Sequence, residues 1–516
     1  MRKRFGIIIF ILFSPAIILA FYYLSIRLIS QIYYLKANNY IRNEKYSQAI
    51  DNLESAIHHQ PNNARIWYAL GRAYHLQGEP LNIQKAFHVS KKAKHAYLMA
   101  SQLNPIEVES FFGLAGEEER LQQLYPFLHQ NENPYNALPY YEEVIRLSPN
   151  MPYYHHMFVR YLYQKGKTKV LQKVITNLAR ISPGSYNSLK NEPFWSQEIK
   201  AAAKKGIQKA IDENIDPYSA HGVMYSILVE EKDWAGAIIQ HQKKYSYQKA
   251  FFPQSYNHSN DLFHLGILYM ENGQLEKAEE NFLKAIFKSV DPENRIERIY
   301  KTYKKKGYIK KFIQFYHRNR KDFRITSSTD IYLARAVMNL KQYDQARKIL
   351  MELTQKEESP TAYYWLYRIA EKEKDLDKMD LAIQKATRLA PNNSKYHLIF
   401  SQVLGRQKKF GLAEKEANLA IKFAVKPSPD LYNHRALIRM HREDYQHAIK
   451  DWKSAISLQP GKAYFYSKVA DAYEKMEDWK NAFEYIDKAI NIDAKNKSFQ
   501  KKYNFLQEKL KLIQPG

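Results

Sequence analysis

The 516-residue sequence contains no cysteine. This absence excludes disulfides, thiolate metal sites, iron–sulfur clusters and cysteine nucleophiles, although it does not fix a cellular compartment. Acidic residues are also scarce, with 53 Asp and Glu against 79 Lys and Arg, which gives a net charge of +26. A charge of this size favours contact with acidic protein surfaces, anionic lipid head groups, anionic glycans or nucleic acid.

Charge is absent again from residues 5–26, which are mainly Ile, Leu, Phe and Ala. A helix of this length covers roughly 33 Å, enough to cross the hydrocarbon core of a bilayer. The sequence therefore predicts a transmembrane anchor over 5–26. A cleaved signal peptide is the alternative, but the apolar stretch is longer than a typical signal core and bulky Ile18 precedes the best cleavage position, Ala20.

Residues 1–4 carry Arg2, Lys3 and Arg4, which the positive-inside rule places in the cytoplasm. Long downstream domains cross the membrane largely regardless of their charge. We therefore expect a single-pass protein of the inner (cytoplasmic) membrane, with a short cytoplasmic tail at 1–4 and the rest of the chain extracytoplasmic, in a bacterium periplasmic. Little linker separates the span from the pattern that follows, so the anchor helix is expected to continue into it.

The rest of the chain repeats with a period near 34 residues. Each unit has the apolar spacing of two amphipathic helices, with small residues where the helices cross and large rings between units. The same residue types recur at the same offsets, as in Trp67, Leu70, Gly71 and Tyr74; Leu265, Gly266, Tyr269, Ala278, Phe282 and Ala285; and Ala436, Ala448, Trp452 and Ala455. Prolines are expected to end second helices: Pro61, Pro105, Pro149, Pro183, Pro391 and Pro460.

This pattern resembles the tetratricopeptide repeat (TPR) family. The resemblance implies an all-α, TPR-type helical solenoid, a superhelix of antiparallel helix pairs, with one N-terminal transmembrane helix. We expect an N-terminal TPR block at 27–183, a C-terminal TPR block at 259–496 and a capping helix at 497–516. Residues 184–258 are either an irregular helical connection or degenerate repeats. Units 64–105 and 108–149 have an apparent insertion of about ten residues between their helices, against the usual period.

Catalytic patterns are missing. Gly166-Lys167-Thr168 resembles the end of a phosphate-binding loop, but Tyr161 stands where the loop needs its first glycine. Acidic clusters such as 117–119 are typical of exposed helix charge. The prediction is a protein that is not an enzyme and has no cofactor and no metal. A glycan-modifying activity in 184–258 is the weaker alternative, since Asp212, Glu213 and Asp216 lie too close in sequence to converge on a pocket.

Binding residues follow from the family resemblance, because the concave groove of a TPR solenoid is lined by positions 2, 5, 9 and 12 of the first helix. The matching positions here place a ring four residues before an arginine in three units, which could stack on a ligand and pair with its carboxylate or phosphate. We expect protein partners in this groove. The alternative is that the pairs are ordinary surface residues: Tyr68 and Arg72, His156 and Arg160, Tyr364 and Arg368.

A second candidate is the basic segment 301–324, with ten Lys or Arg against one acid. Its rings fall mostly on the core face of a helical pattern and are expected to be buried, so base stacking and nucleic acid are not predicted. The cations alone predict a salt-sensitive patch for an acidic glycan or lipid, or else a solvated face. The patch residues are Lys304, Lys305, Lys306, Lys310, Lys311, Arg318 and Arg320.

The sequence as a whole predicts a membrane-anchored scaffold or adaptor that binds protein partners at the cell envelope. It is similar to bacterial membrane-anchored TPR proteins associated with polysaccharide or lipopolysaccharide assembly. An assembly factor for envelope proteins is an alternative within the same class. A receptor with its repeats in the cytosol, resembling the outer mitochondrial import receptors, is the alternative that membrane topology would separate.

Overall fold

The computed structural model describes residues 2–78, 82–251, 258–321 and 329–513, with side chains from residue 17 to residue 511. Within these ranges all regular secondary structure is helical. The chain forms two compact units, unit 1 at Met1–Tyr256 and unit 2 at Asn257–Gly516. Both are all-α helical solenoids in which consecutive helices pack against each other.

Unit 1 also contains two 3₁₀ turns, Tyr125–Phe127 and Pro183–Ser185. Its α-helices are α1 (Arg2–Arg42), α2 (Tyr46–His59), α3 (Ala64–Gln77), α4 (Ile83–Leu103), α5 (Val108–Leu124), α6 (Leu138–Leu147), α7 (Pro152–Gln164), α8 (Thr168–Ile181), α9 (Tyr186–Leu189), α10 (Gln197–Asp212), α11 (Pro217–Glu230) and α12 (Trp234–Phe251).

Unit 2 is a regular succession of helix pairs that ends in a single helix. Its helices are α13 (His258–Glu271), α14 (Leu275–Phe287), α15 (Pro292–Lys305), α16 (Ile309–Asn319), α17 (Asp330–Asn339), α18 (Tyr343–Lys356), α19 (Pro360–Glu373), α20 (Leu376–Leu389), α21 (Ser394–Arg406), α22 (Phe410–Lys422), α23 (Pro429–His441), α24 (Tyr445–Leu458), α25 (Ala463–Lys475), α26 (Trp479–Ile492) and α27 (Lys497–Ile513).

The turn inside each helix pair of unit 2 places one residue in the left-handed region. Successive members are 33 to 35 residues apart, so the backbone repeats with the period of the sequence. Only two are glycine, and the others tolerate a conformation that costs a residue with a Cβ roughly 1 kcal/mol. The residues are Gly273, Gly307, Lys341, Lys374, Lys408, Glu443 and Glu477.

The six prolines assigned to the ends of second helices are confirmed. Each lies two residues beyond the last residue of a helix, as Pro61 follows α2 and Pro460 follows α24. A proline in this place cannot continue the helix, since it lacks an N–H and its ring blocks the preceding turn. The chain is thereby released to begin the next pair.

The helices cross closely where small residues lie, as the sequence predicts, and a neighbouring ring occupies the space that each of three glycines leaves. The ring of Tyr97 lies where both Gly71 and Gly113 lack a side chain, because a Cβ on either would come within 2.7 Å of it. A Cβ on Gly266 would likewise lie 2.4 Å from the ring of Phe282. These rings are buried, so the glycines set how closely the helices approach.

Helix α1 is continuous from Arg2 to Arg42, and its C-terminal part is the first helix of the first pair. Ser30 Oγ donates a hydrogen bond of 2.9 Å to the carbonyl of Ala56 in α2. Equivalent bonds join Ser259 to Ala285 and Ser394 to Ala420, so α1 docks through the standard contact of this chain. The apolar segment and the first repeat are therefore one helix.

The stretch after α8 departs from the regular pairing. A 3₁₀ turn and the one-turn helix α9 stand where a first helix is expected, and α10 packs directly on α8. Gly206 makes this approach very close, since a Cβ there would lie 2.2 Å from the Thr176 carbonyl oxygen. Helices α11 and α12 then form an ordinary antiparallel pair.

Two expectations are wrong. In the unit that starts at residue 64, the extra residues do not separate the helices but lengthen the second one, because α4 has 21 residues. The acidic cluster in α5 is not exposed charge, since Glu117 and Glu118 are buried. They are paired with His75 and Lys94, each at 2.5 Å, which offsets part of the cost of removing the carboxylates from water.

An ionic network joins α22, α23 and α24. Buried Asp451 accepts from Arg435 at 2.6 Å and from Arg439 at 2.8 Å, and Arg439 also pairs with Glu414. Burial alone would raise the pKa of Glu414, but the hydrogen bonds from Arg439 and Arg442 lower it overall. The stabilisation it provides is therefore present above the ordinary carboxylate pKa and is lost as the pH falls.

Replacing Gly71 or Gly113 by alanine should destabilise unit 1 by about 1–3 kcal/mol, because the new Cβ collides with the buried Tyr97 ring. The measurement is the free energy of unfolding in urea, followed by circular dichroism. Gly116→Ala is the matched control in the same helix as Gly113, since nothing lies within 4 Å of its Cβ. It should stabilise the helix slightly. Equal losses in all three variants would contradict the role of Tyr97.

Removing Asp451 should destabilise unit 2 by about 3–5 kcal/mol, because Asp451→Ala leaves Arg435 and Arg439 without their buried carboxylate. The control is Asp344→Ala, which breaks the pair with Arg347 at a carboxylate that is 96% exposed. Exposed pairs contribute little, so this control should unfold almost as the parent does. Similar unfolding curves for the two variants would show that the network is not stabilising.

Candidate functional site

Three first helices of unit 1 present a ring at the same position, the fifth residue of the helix. These residues are Tyr68 in α3, Phe112 in α5 and His156 in α7. Helices α3 and α5 pack side by side, so the first two belong to one surface. We call the surface formed by α3, α5 and α7 the first-helix face.

The rings on this face remain partly exposed, and two of them are held by other rings. Tyr68 lies 5.8 Å from Tyr97, and Phe112 lies 5.1 Å from Tyr154. Burial raises the pKa of Tyr68, with Arg72 acting in the opposite direction, and it also raises the pKa of Tyr154. Both hydroxyls therefore stay protonated at neutral pH and can donate a hydrogen bond to a ligand.

One turn further along each helix, at the ninth residue, the face carries Arg72 in α3, Gly116 in α5 and Arg160 in α7. Both arginines are exposed, and neither has a hydrogen bond or ion pair with any residue in the described ranges. Between their helices Gly116 leaves open space, because a Cβ there meets no atom within 4 Å. The face thus offers two free guanidinium groups on either side of a vacant position.

A cavity of about 580 Å³ opens beside His156 and Arg160. Its far wall is the irregular segment after α8, where Phe194 lies 5.2 Å from Tyr163. Burial lowers the pKa of His156, against a smaller opposing effect of Glu192. The imidazole is therefore neutral at pH 7, with Nε2 3.3 Å from Ser185 Oγ.

The third predicted pair, in unit 2, is arranged differently. Tyr364 is buried, with its ring 5.6 Å from Tyr396 and the Lys395 ammonium 4.4 Å above it. Arg368 is partly exposed and lies 3.2 Å from Glu371. Packing and an internal ion pair therefore occupy groups that remain available in unit 1.

The basic segment of unit 2 has most of its described rings in the core, as the helical pattern indicates, whereas Tyr308 is exposed. Tyr303, Phe312, Phe315 and Tyr316 are buried, whereas Asp322, Phe323 and Arg324 lie outside the described residues. All seven predicted patch cations are exposed. Three of these cations already have a carboxylate partner at 2.5–2.6 Å: Lys306 with Glu271, Arg318 with Glu279, and Arg320 with Asp330.

Sequence reasoning missed Phe112, Gly116 and Tyr154, which complete the first-helix face. The signal was available, because Phe112 and Gly116 occupy the same helix positions as Tyr68 and Arg72. Across the described residues, no group of three His, Asp or Glu side chains could hold a metal ion. Rings, guanidinium groups and vacant space are what this face provides, and these suit the recognition of a ligand.

Tetratricopeptide repeat models match residues 34–81, 262–286 and 463–496. Three similar solved structures have low identity and low TM-scores. Yeast Tom70 is 17% identical over 93% of this chain and 95% of its own, with a TM-score of 0.31. YrrB, described as a TPR protein with an unusual peptide-binding site, is 16% identical over 36% and 95%, with a TM-score of 0.33.

MamA from Desulfovibrio magneticus RS-1 is 16% identical over 33% of this chain and 97% of its own, with a TM-score of 0.30. A comparison with curated proteins finds no significant match. The helix pairs, their 34-residue period and the three matched segments agree on one family. The chain therefore contains tetratricopeptide repeats, and the matched segments support a protein-interaction scaffold built from them.

Proposed function

We propose that this protein is a membrane-anchored scaffold at the cell envelope, which binds an extended segment of a partner protein on the first-helix face of unit 1. The observation that carries the proposal is the row of equivalent rings with two free arginines around the open position at Gly116. An extended segment can place side chains against successive rings while its carboxylates pair with Arg72 and Arg160.

Charge supports a partner of this kind. With a net charge of +26 the scaffold attracts acidic proteins at long range, and the arginines then provide directed contacts at short range. In unit 2 the equivalent residues, Tyr364 and Arg368, already contact Tyr396 and Glu371. Unit 1 is therefore the better candidate for binding a partner. Proteins that assemble envelope polysaccharide or lipopolysaccharide, or that assemble other envelope proteins, are the partners we expect.

Helix α1 supports the membrane anchor. Its segment Ile17–Arg42 is long and apolar enough to cross a membrane, a criterion that a signal sequence also meets. Its apolar side chains stay exposed as far as Leu35, well after Ser30 has docked on α2. Cleavage within this helix would expose a new end beside the first repeat, whereas retention leaves the helix whole, and we therefore favour an anchor.

Filling the vacant position should abolish partner binding. Gly116→Leu places a side chain between Arg72 and Arg160, at a position where a Cβ meets no atom within 4 Å. The matched control is Gly411→Leu in α22, an exposed helical glycine that also has no atom within 4 Å of its Cβ. The measurement is cross-linking in cells from a photoreactive residue at Arg65 of α3, read by quantitative mass spectrometry.

We expect a reproducible cross-linked protein from the parent and from Gly411→Leu, and its loss from Gly116→Leu. The same yield from all three proteins would contradict binding on this face. Circular dichroism should give the same helix content for both leucine variants, which separates a blocked site from a damaged fold.

Single cysteines test the topology in this cysteine-free chain. Ser226→Cys and Ser498→Cys place a thiol on exposed positions of units 1 and 2. With the repeats extracytoplasmic, both should react with a membrane-impermeant thiol reagent on intact cells, after permeabilisation of any outer membrane. Labelling that requires lysis of the inner membrane would contradict the periplasmic location and favour a cytosol-facing receptor.

A further inference from the structure

A second cleft in unit 1 lies between α6, α8 and α10, with His155 and Phe158 of α7 also in its wall. It has a volume of about 1100 Å³. Apolar and small side chains, among them Val170, Val174 and Ala202, form part of its wall. Six cations also line it: Arg146, Lys169, Lys173, Arg180, Lys205 and Lys209.

The two arginines of this cleft already have carboxylate partners, Arg146 with Glu143 and Arg180 with Glu213, each at 2.6 Å. The four lysines are exposed and make no hydrogen bond or ion pair with residues of the described ranges. We call them the cleft lysines. Such a concentration of unpaired like charge is repulsive unless an anion is bound.

Two carboxylates, Glu142 and Glu198, also line the cleft. Glu198 accepts a hydrogen bond of 2.6 Å from Ser196 Oγ, which lowers its pKa and keeps it ionised. With both arginines paired, the four cleft lysines still outnumber these two carboxylates. A positive potential therefore remains in the cleft.

The helices that carry the cleft lysines are fixed relative to each other. Contacts advance in the same direction on both, from Thr176 with Ala202 to Arg180 with Glu213, so α8 and α10 run parallel. The contact at Gly206 holds them very close. On each helix two lysines are four residues apart, which places them about 6 Å apart along the axis on the same side.

We propose that this cleft binds a small ligand with clustered phosphate groups. Lysine ammonium groups are compact point charges, and they bind phosphate without the bidentate geometry of an arginine fork. Both arginines here are already paired, so an anion in the cleft meets the four lysines, and clustered phosphate groups bring several negative charges within reach of all of them. The cleft is as large as typical small-ligand sites, which leaves room for several phosphate groups.

The phosphate groups could belong to a soluble polyphosphorylated compound or to a phospholipid head group, which share this chemistry. The proposal does not depend on the proposed function, because α6, α8 and α10 contribute none of the groups assigned to partner binding. Loss of phosphate binding would leave the cross-link from α3 intact. Failure of one proposal can therefore be distinguished from failure of the other.

The test is isothermal titration calorimetry on the full-length protein in detergent at physiological salt, with inorganic tripolyphosphate as the soluble probe. Short-chain phosphatidylinositol bisphosphate is the lipid probe. An acidic Glu-rich peptide tests whether the cleft binds carboxylates instead of phosphate. We expect one site for at least one phosphate probe. Binding of only the lipid assigns the source to a head group, and binding of tripolyphosphate assigns it to a soluble compound.

The variant Lys173→Gln/Lys205→Gln should weaken phosphate binding by roughly tenfold or more, since it removes two charge-assisted contacts. The matched control is Lys348→Gln/Lys415→Gln, which removes the same charge from exposed lysines of unit 2. It should leave the affinity unchanged. A second cleft variant, Lys169→Gln/Lys209→Gln, repeats the test if the first is misfolded by circular dichroism.

Three results would overturn the proposal. One is the absence of binding for both phosphate probes. Another is an equal loss of affinity in the cleft and control variants, which would mean that the total charge of the protein is responsible. The third is tighter binding of the acidic peptide than of either phosphate probe.

Discussion

A helix pair of about 34 residues in total cannot bury its own apolar face. The stability of this protein therefore depends on each pair burying the apolar face of its neighbour. The cover works only where the backbones come close, so glycine or alanine lies under a ring of the neighbouring element. Tyr97 covers Gly71 within its own pair and Gly113 in the next pair, whereas Phe282 covers Gly266 inside a single pair. Stability is consequently built up locally, from one interface to the next along each unit.

This architecture separates packing from binding. Most of the large side chains are buried in interfaces between successive helices. The side chains that are left accessible to a ligand lie on faces that no further helix covers. In unit 1 such a face keeps Arg72 and Arg160 free. In unit 2 the corresponding Tyr364 packs against Tyr396, so the same helix position is partly exposed in one unit and buried in the other.

The sequence predicts the helix pairs well, because proline, small residues and large rings act through short-range sterics that the residue type alone determines. Pro61 ends α2 and Phe282 fills its interface as expected. Properties that depend on the partner of a residue are harder to predict. Glu117 and Glu118 are buried because His75 and Lys94 reach them from other helices. The vacant space at Gly116 likewise depends on what the neighbouring helices omit.

Helix α1 has a mechanical consequence as well as a structural one. It is a single helix from Arg2 to Arg42, so it resists twisting between the apolar segment and the contact of Ser30 with α2. Each residue in a helix turns the chain by about 100° and advances it by 1.5 Å. The number of residues before Ser30 therefore sets the direction in which the first repeat faces around the axis of α1. One inserted residue would rotate that direction by about 100°.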